Sequence, residues 1–163
     1  MLTLVTLLAF ANAWHDNLVL DDKFFVGSDS TVNLKNLGQA FEVDVWMSGS
    51  GLYRPLLMIN FEWEKQLFGG WNVAYHAVNL LLHLLVTYVL YGFLRHLLLA
   101  GGQPRQSAEL AALLAALVFA IHPVHTEVVN SVFNRSSMQV SLLAIAGLWW
   151  LFHYLESRPA RAW

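Results

Sequence analysis

The sequence predicts an all-α integral membrane protein: a multi-helix bundle with a long non-cytoplasmic first loop. Three observations lead there. Hydrophobic residues make up 57% of the 163-residue chain and charged ones only 12%, where soluble proteins carry about a quarter charged. Long apolar segments begin near Val73, Leu110 and Met138. Charge gathers at the segment ends and in the polar stretch before them, as expected where charge inside hydrocarbon is costly.

The elements follow in order. Residues 1–13 are read as a truncated first transmembrane helix, because Leu2 to Phe10 is apolar but short of the about 20 residues a full crossing takes. A signal peptide is the alternative: Ala11-Asn-Ala13 has the form of a cleavage site, although no basic flank precedes the apolar core. Residues 14–72 are expected to form an external loop with interfacial helices. Trp14, Phe24, Phe25, Trp46, Tyr53, Trp63 and Trp71 suit a belt at headgroup depth. Asn33 to Phe41 is spaced as a short helix with Leu34, Leu37, Ala40 and Phe41 on one face.

Transmembrane helices are expected over residues 73–100, 108–129 and 138–154. Gly101-Gly-Gln-Pro104 breaks the chain between the first two. The second reaches spanning length only by continuing through Pro123. Arg95 and Arg105 flank one connection, and Arg158 and Arg161 follow the last helix. The positive-inside rule makes both ends cytoplasmic. The loop with Asp21-Asp22 and the turn from His122 to Arg135 then share the opposite face.

Composition also excludes function classes. A net charge of −2 without a basic stripe argues against nucleic acid as a partner. No cysteine is present, which rules out disulfides, thiolate nucleophiles and cysteine-held zinc. Neither a Gly-rich phosphate loop nor a Gly-x-Ser-x-Gly elbow occurs.

The polar clusters carry the chemistry. On extended backbone Asp21 and Asp22 would point in opposite directions, one into a site and the other into its support. A carboxylate within hydrogen-bond reach of a hydroxyl is a general base; the alternative is a solvated acidic loop. Tyr53-Arg54-Pro55 is a candidate anion grip, since arginine presents a planar fork of donors to phosphate; otherwise Arg54 anchors at lipid headgroups. Glu62 and Glu64 alternate and are read as solvated. His76, Asn79 and His83 share one helical face. His76, nearest the non-cytoplasmic end, is a site candidate, and Asn79 and His83 are read as interhelical hydrogen-bonding groups. His122-Pro-Val-His125-Thr-Glu127 offers two imidazoles and a carboxylate for a substrate or lipid phosphate, or for structural hydrogen bonds. It is not a His-Glu-x-x-His motif, and no metal is assigned to it. Arg135 either neutralises a departing diphosphate or pairs with Glu127.

Four stretches carry a family resemblance: Asn12-Ala-Trp-His-Asp-Asn-Leu-Val-Leu-Asp-Asp22, Tyr53-Arg-Pro-Leu56, Tyr75-His-Ala-Val-Asn-Leu-Leu-Leu-His83 and Phe119-Ala-Ile-His-Pro-Val-His-Thr-Glu-Val-Val129. In this order they resemble the membrane-embedded glycosyltransferases of the GT-C class, in the TMTC-like branch related to protein O-mannosyltransferases. The resemblance implies a partial GT-C-type bundle. It implies transfer of a sugar, often mannose, from a polyprenyl-phosphate donor to a protein hydroxyl or a glycan acceptor. By match, the acidic residue at the catalytic centre would be Asp21, with Asp22 beside it, and Asp21 would take the acceptor proton. Arg54 and Arg135 would offset charge on the lipid phosphate, with His122, His125 and Glu127 shaping the pocket.

One departure stands out. The family commonly reads Gly-Arg, a small residue and an acid after the His-Pro motif, whereas this chain has Asn134-Arg135-Ser-Ser137. Such enzymes also have many more membrane helices. The chain is therefore expected to be an amino-terminal part whose partners are membrane lipids, the lipid-linked sugar and the remaining helices. The expected membrane is the bacterial inner membrane or the endoplasmic reticulum, with Asp21-Asp22 periplasmic or lumenal. The competing readings are a non-catalytic membrane assembly or partner-binding protein, and a transporter fragment. A transporter would place its polar groups nearer the midplane.

Overall fold

The computed structural model describes residues 1–14, 18–19, 21–26 and 34–157. Every regular element among them is helical. The helices are α1 (Leu2–Ala9), α2 (Asp22–Phe25), α3 (Pro55–Phe68), α4 (Asn72–Ala100), α5 (Arg105–Ile121), α6 (Thr126–Asn130) and α7 (Arg135–Ser157). Short 3-10 turns occupy Ala11–Trp14, Leu37–Phe41 and Pro123–His125. Among the described residues two single helices, α4 and α7, are long and apolar enough to cross a membrane. At a rise of about 1.5 Å per residue, their 29 and 23 residues both exceed a hydrocarbon core of about 30 Å. They support an integral membrane location. Helix α5 has 17 residues, and its apolar run breaks at His122, where Pro123 supplies no backbone donor.

The chain divides into two compact units. One holds Met1–Ala9, Leu82–His122 and Met138–Trp163. Within it α1 packs against α5. The inner face of α5 is Ala108, Ala112, Ala116 and Ala120, all 0% exposed. This four-residue repeat forms a ridge without side chains beyond Cβ, which lets a neighbouring backbone come close. Polar groups here are satisfied locally. Thr6 donates its hydroxyl to the Leu2 carbonyl at 2.8 Å, the His83 ring meets the Ala120 carbonyl at 3.0 Å, and the Thr87 hydroxyl donates to the His83 carbonyl at 2.8 Å. At the α5 start, Glu109 Oε1 accepts from Arg95 Nη2 at 2.9 Å and Arg105 Nε at 3.0 Å. Leu110, Leu114 and Val118 of α5 and Val140, Leu143, Leu148 and Leu151 of α7 point outward, as lipid-facing residues should.

The other unit holds Phe10–Leu81 and Pro123–Ser137. Its core joins Phe25, Val45, Leu57, Met58, Phe61, Tyr75, Val132 and Phe133. Pro55 opens α3 at a position where a missing donor costs nothing, and Leu57, Met58, Phe61 and Glu64 form its buried face. The Leu37–Phe41 turn packs on α3. Aromatic rings fill the centre: Phe25 lies 4.6 Å from Phe133 and 4.8 Å from Trp46 between ring centroids.

Three expectations change here. The short helix expected from Asn33 is a 3-10 turn from Leu37, since Asn36 is extended and caps it by accepting from the Gln39 N–H at 3.1 Å; Asn33 itself lies outside the described residues. Phe25, expected in the interfacial belt, is core at 2% exposure. Glu64, expected in solvent, is buried.

The alanine ridge gives a direct test. Ala112→Leu should destabilise the protein by about 1–3 kcal/mol through overpacking, read as a lower unfolding midpoint in detergent, while Leu114→Ala on the outward face should change it little.

Candidate functional site

The polar centre of the second unit begins with Arg135, the first residue of α7, whose side chain is fully buried. Its guanidinium is held from three directions. Nε donates to Asn79 Oδ1 at 2.7 Å, Nη1 donates to Glu64 Oε1 in a buried ion pair, and Nη2 donates to the Tyr75 carbonyl at 2.9 Å. Its plane also lies 5.6 Å from the Phe61 ring centroid. Burial pushes the Glu64 carboxyl above the usual carboxylate range, and the Arg135 charge opposes that push. Glu64 Oε2 is buried without a hydrogen bond among the described residues.

Asn79 extends the network. Its amide donates to the carbonyls of Val129 at 3.1 Å and Ser131 at 2.9 Å. Val129 lies in the last turn of α6 and Ser131 just beyond it, where the end of the helix leaves carbonyls without helical partners. Ser131 and Phe133 then reach the acidic pair. The Ser131 hydroxyl donates to Asp22 Oδ1 at 3.0 Å and the Phe133 N–H to the same oxygen at 2.8 Å. Arg54 sits over the Phe133 ring, its Cζ 4.8 Å from the ring centroid. Arg54 Nη1 is buried without an acceptor among the described residues. One residue, Phe133, thus joins a carboxylate and a guanidinium from distant parts of the chain.

The sequence-predicted residues fall out as follows. Asp21 caps α2 with helical backbone angles and Asp22 opens the helix, so the two are not on extended backbone. Successive residues on a helix are about 100° apart, not opposed. Asp22 is the inward, fully buried one; Asp21 is half-buried, and no described side chain hydrogen-bonds its carboxylate. His76 is buried next to Tyr75. His125 is half-buried and Glu127 exposed. Glu127 Oε1 accepts from Asn134 Nδ2 at 3.2 Å, so it does not pair with Arg135, whose charge Glu64 already holds. His122 is exposed and belongs to the other unit. Among the described residues His122, His125 and Glu127 do not bring three ligand atoms together.

Sequence reasoning passed over Glu64. The signal was present: Glu64 continues the helical spacing of Leu57, Met58 and Phe61 on α3, so the face that buries those three buries it too.

The fold and this centre define a helical integral membrane protein with a buried ion-paired core beneath an acid–arginine pair. Comparison with known proteins narrows the class. Protein O-mannosyl-transferase TMTC4 of Mus musculus is 38% identical over 160 residues, covering 85% of this chain and 20% of the relative. Protein O-mannosyl-transferase TMTC2 of Homo sapiens is 34% identical over 114 residues, 68% of this chain and 13% of the relative. Protein O-mannosyl-transferase F38B6.6 of Caenorhabditis elegans is 28% identical over 153 residues, 88% and 21%. The chain has a TMTC-like family relationship, and it spans about a fifth of the length of the first of these relatives. No family model matches it, and no solved structure matches.

The ion pair makes a prediction with a sign. Arg135→Met strands Glu64 and should cost about 3–5 kcal/mol of stability. A carboxyl whose folded pKa is raised gives most stability below its unfolded pKa and loses it as pH rises through the folded one. The variant should therefore regain stability as pH falls from neutral towards the ordinary carboxylate range, and Arg135→Met/Glu64→Leu should recover much of the loss at neutral pH. Unfolding midpoints across pH in detergent check both.

Proposed function

We propose that this chain forms the acidic and phosphate-facing part of a GT-C-type glycosyltransferase. The reaction moves a sugar from a polyprenyl-phosphate donor to a protein hydroxyl or a glycan acceptor. Mannose is the sugar favoured by the names of its relatives. The observation that carries the reading is that Phe133 joins Asp22, the neighbour of Asp21, to Arg54, with Arg54 Nη1 lacking an acceptor among the described residues.

In this reading Asp21 accepts the proton of the acceptor hydroxyl as its oxygen attacks the anomeric carbon. The bond from that carbon to the phosphate oxygen breaks, and the lipid phosphate leaves with the electron pair. Arg54 offsets its charge, as a preformed donor aimed where charge gathers. Asp22 is committed to Ser131 and Phe133 and holds Asp21 in place. His76, His125 and Glu127, from the same unit, shape the acceptor side. Arg135 acts through structure, because its donors are already taken by Glu64, Asn79 and Tyr75. In this reading the polar loop faces the periplasm or the lumen, the side the positive-inside rule assigns to it.

The test is transfer of radiolabelled mannose from polyprenyl-phosphate mannose. The chain is assayed in membranes alone and as a chimera replacing the matching residues of the mouse relative. The chimera should transfer, and Asp21→Asn should lower its rate about 100-fold or more. Equal rates with and without the Asp21 carboxylate would remove this residue from the chemistry. An inserted, folded chimera that transfers nothing would favour a non-catalytic assembly role.

A further inference from the structure

A second polar cluster lies in the other unit and plays no part in the proposed transfer. His96 comes from α4, and His153 and Glu156 come from α7. Spacing of three residues puts His153 and Glu156 on one helical face. Their ligand atoms and that of His96 all lie within 4.8 Å of one another. His96 Nε2 is 2.6 Å from Glu156 Oε2.

We propose that His96, His153 and Glu156 bind one divalent transition-metal ion of the zinc class, with Trp149 as a latch on the metal-free state. Two imidazoles and a carboxylate suit zinc rather than calcium or magnesium, which take oxygen ligands. A tetrahedral zinc with bonds of about 2.0–2.2 Å holds its ligand atoms about 3.4 Å apart. The widest separation must then close by at most about 1.4 Å and the His96–Glu156 pair must open slightly. Both α7 ligands are exposed, so side-chain rotation supplies that movement. Bridging two helices with three ligands is how metal sites are built in helical bundles. Arg95, the neighbouring cation, is already committed to Glu109 at 2.9 Å.

The latch follows from hydrogen-bond chemistry. Trp149 Nε1 donates to His96 Nδ1 at 3.0 Å. Indole can only donate, so Nδ1 is the unprotonated nitrogen and Nε2 carries the proton, directed at Glu156. An ion at Nε2 takes the place of that proton, which moves through solvent to Nδ1. Two donors, Nδ1–H and the indole N–H, would then face each other. Trp149 must turn away for the ion to stay. Clefts of about 680 and 510 Å³ adjoin this group, both lined by His96 and Trp149, and give the ring room to move.

The test uses the chain in lipid nanodiscs, stripped with chelator and titrated with Zn²⁺ against a chromophoric competitor while tryptophan fluorescence is followed. One ion per chain should bind, with a fluorescence change absent from Trp149→Phe. His153→Ala and Glu156→Gln, both at exposed positions, should each weaken binding at least about tenfold, and Trp149→Phe should tighten it. Absence of Zn²⁺ binding by the folded wild-type chain, or wild-type affinity in folded His153→Ala, would overturn the site. Unchanged or weaker affinity in Trp149→Phe would overturn the latch.

Discussion

The structure of the polar unit depends on one buried cation. Arg135 has no exposed surface, and a charge taken out of water costs several kcal/mol unless partners replace its hydration. Glu64 on α3, Asn79 and the Tyr75 carbonyl on α4 supply them. These partners fix the start of α7 to two other helices. Asn79 then fixes the Val129–Ser131 carbonyls, and Ser131 and Phe133 fix Asp22. Asp22 is placed through this sequence of contacts together with Val19 of its own loop, whose N–H donates to Asp22 Oδ2 at 3.4 Å.

That dependence separates roles that look equivalent in sequence. Two arginines were expected to answer a lipid phosphate. Arg135 has spent its donors on the protein, whereas Arg54 has a buried nitrogen with no acceptor among the described residues. Two aspartates were expected to share one site. Asp22 is tied down by a hydroxyl and a backbone N–H, and Asp21, the half-buried neighbour, has a carboxylate that no described side chain engages. The same physics distinguishes both pairs: a group already satisfied by the fold holds position, and the less engaged partner of each pair is the one proposed to meet the ligand.

Much of the fold was legible because a bilayer imposes a coarse pattern. The long apolar runs that form α4 and α7 stand out by length alone, and Pro123 marks the interruption after α5. Asn79 and His83 were legible as hydrogen-bonding groups, since a polar side chain on an apolar helix needs a partner. The site was less legible. Glu62 and Glu64 flank Trp63 and read as alternation, so the helical face running from Leu57 to Glu64 was hidden. The pairing of Arg135 with Glu64 spans 71 positions, a separation no local pattern reports. The His-Pro-Val-His-Thr-Glu run looked like one cluster, yet Pro123 ends the helix within it and its side chains take different surroundings.

We propose that Arg54, not Arg135, is the arginine that answers the lipid phosphate. Native mass spectrometry of the chain released from nanodiscs with bound polyprenyl phosphate tests it most directly. Folded Arg54→Gln should lose the lipid while Asp21→Asn retains it. Retention of polyprenyl phosphate by folded Arg54→Gln at the wild-type level would contradict the claim.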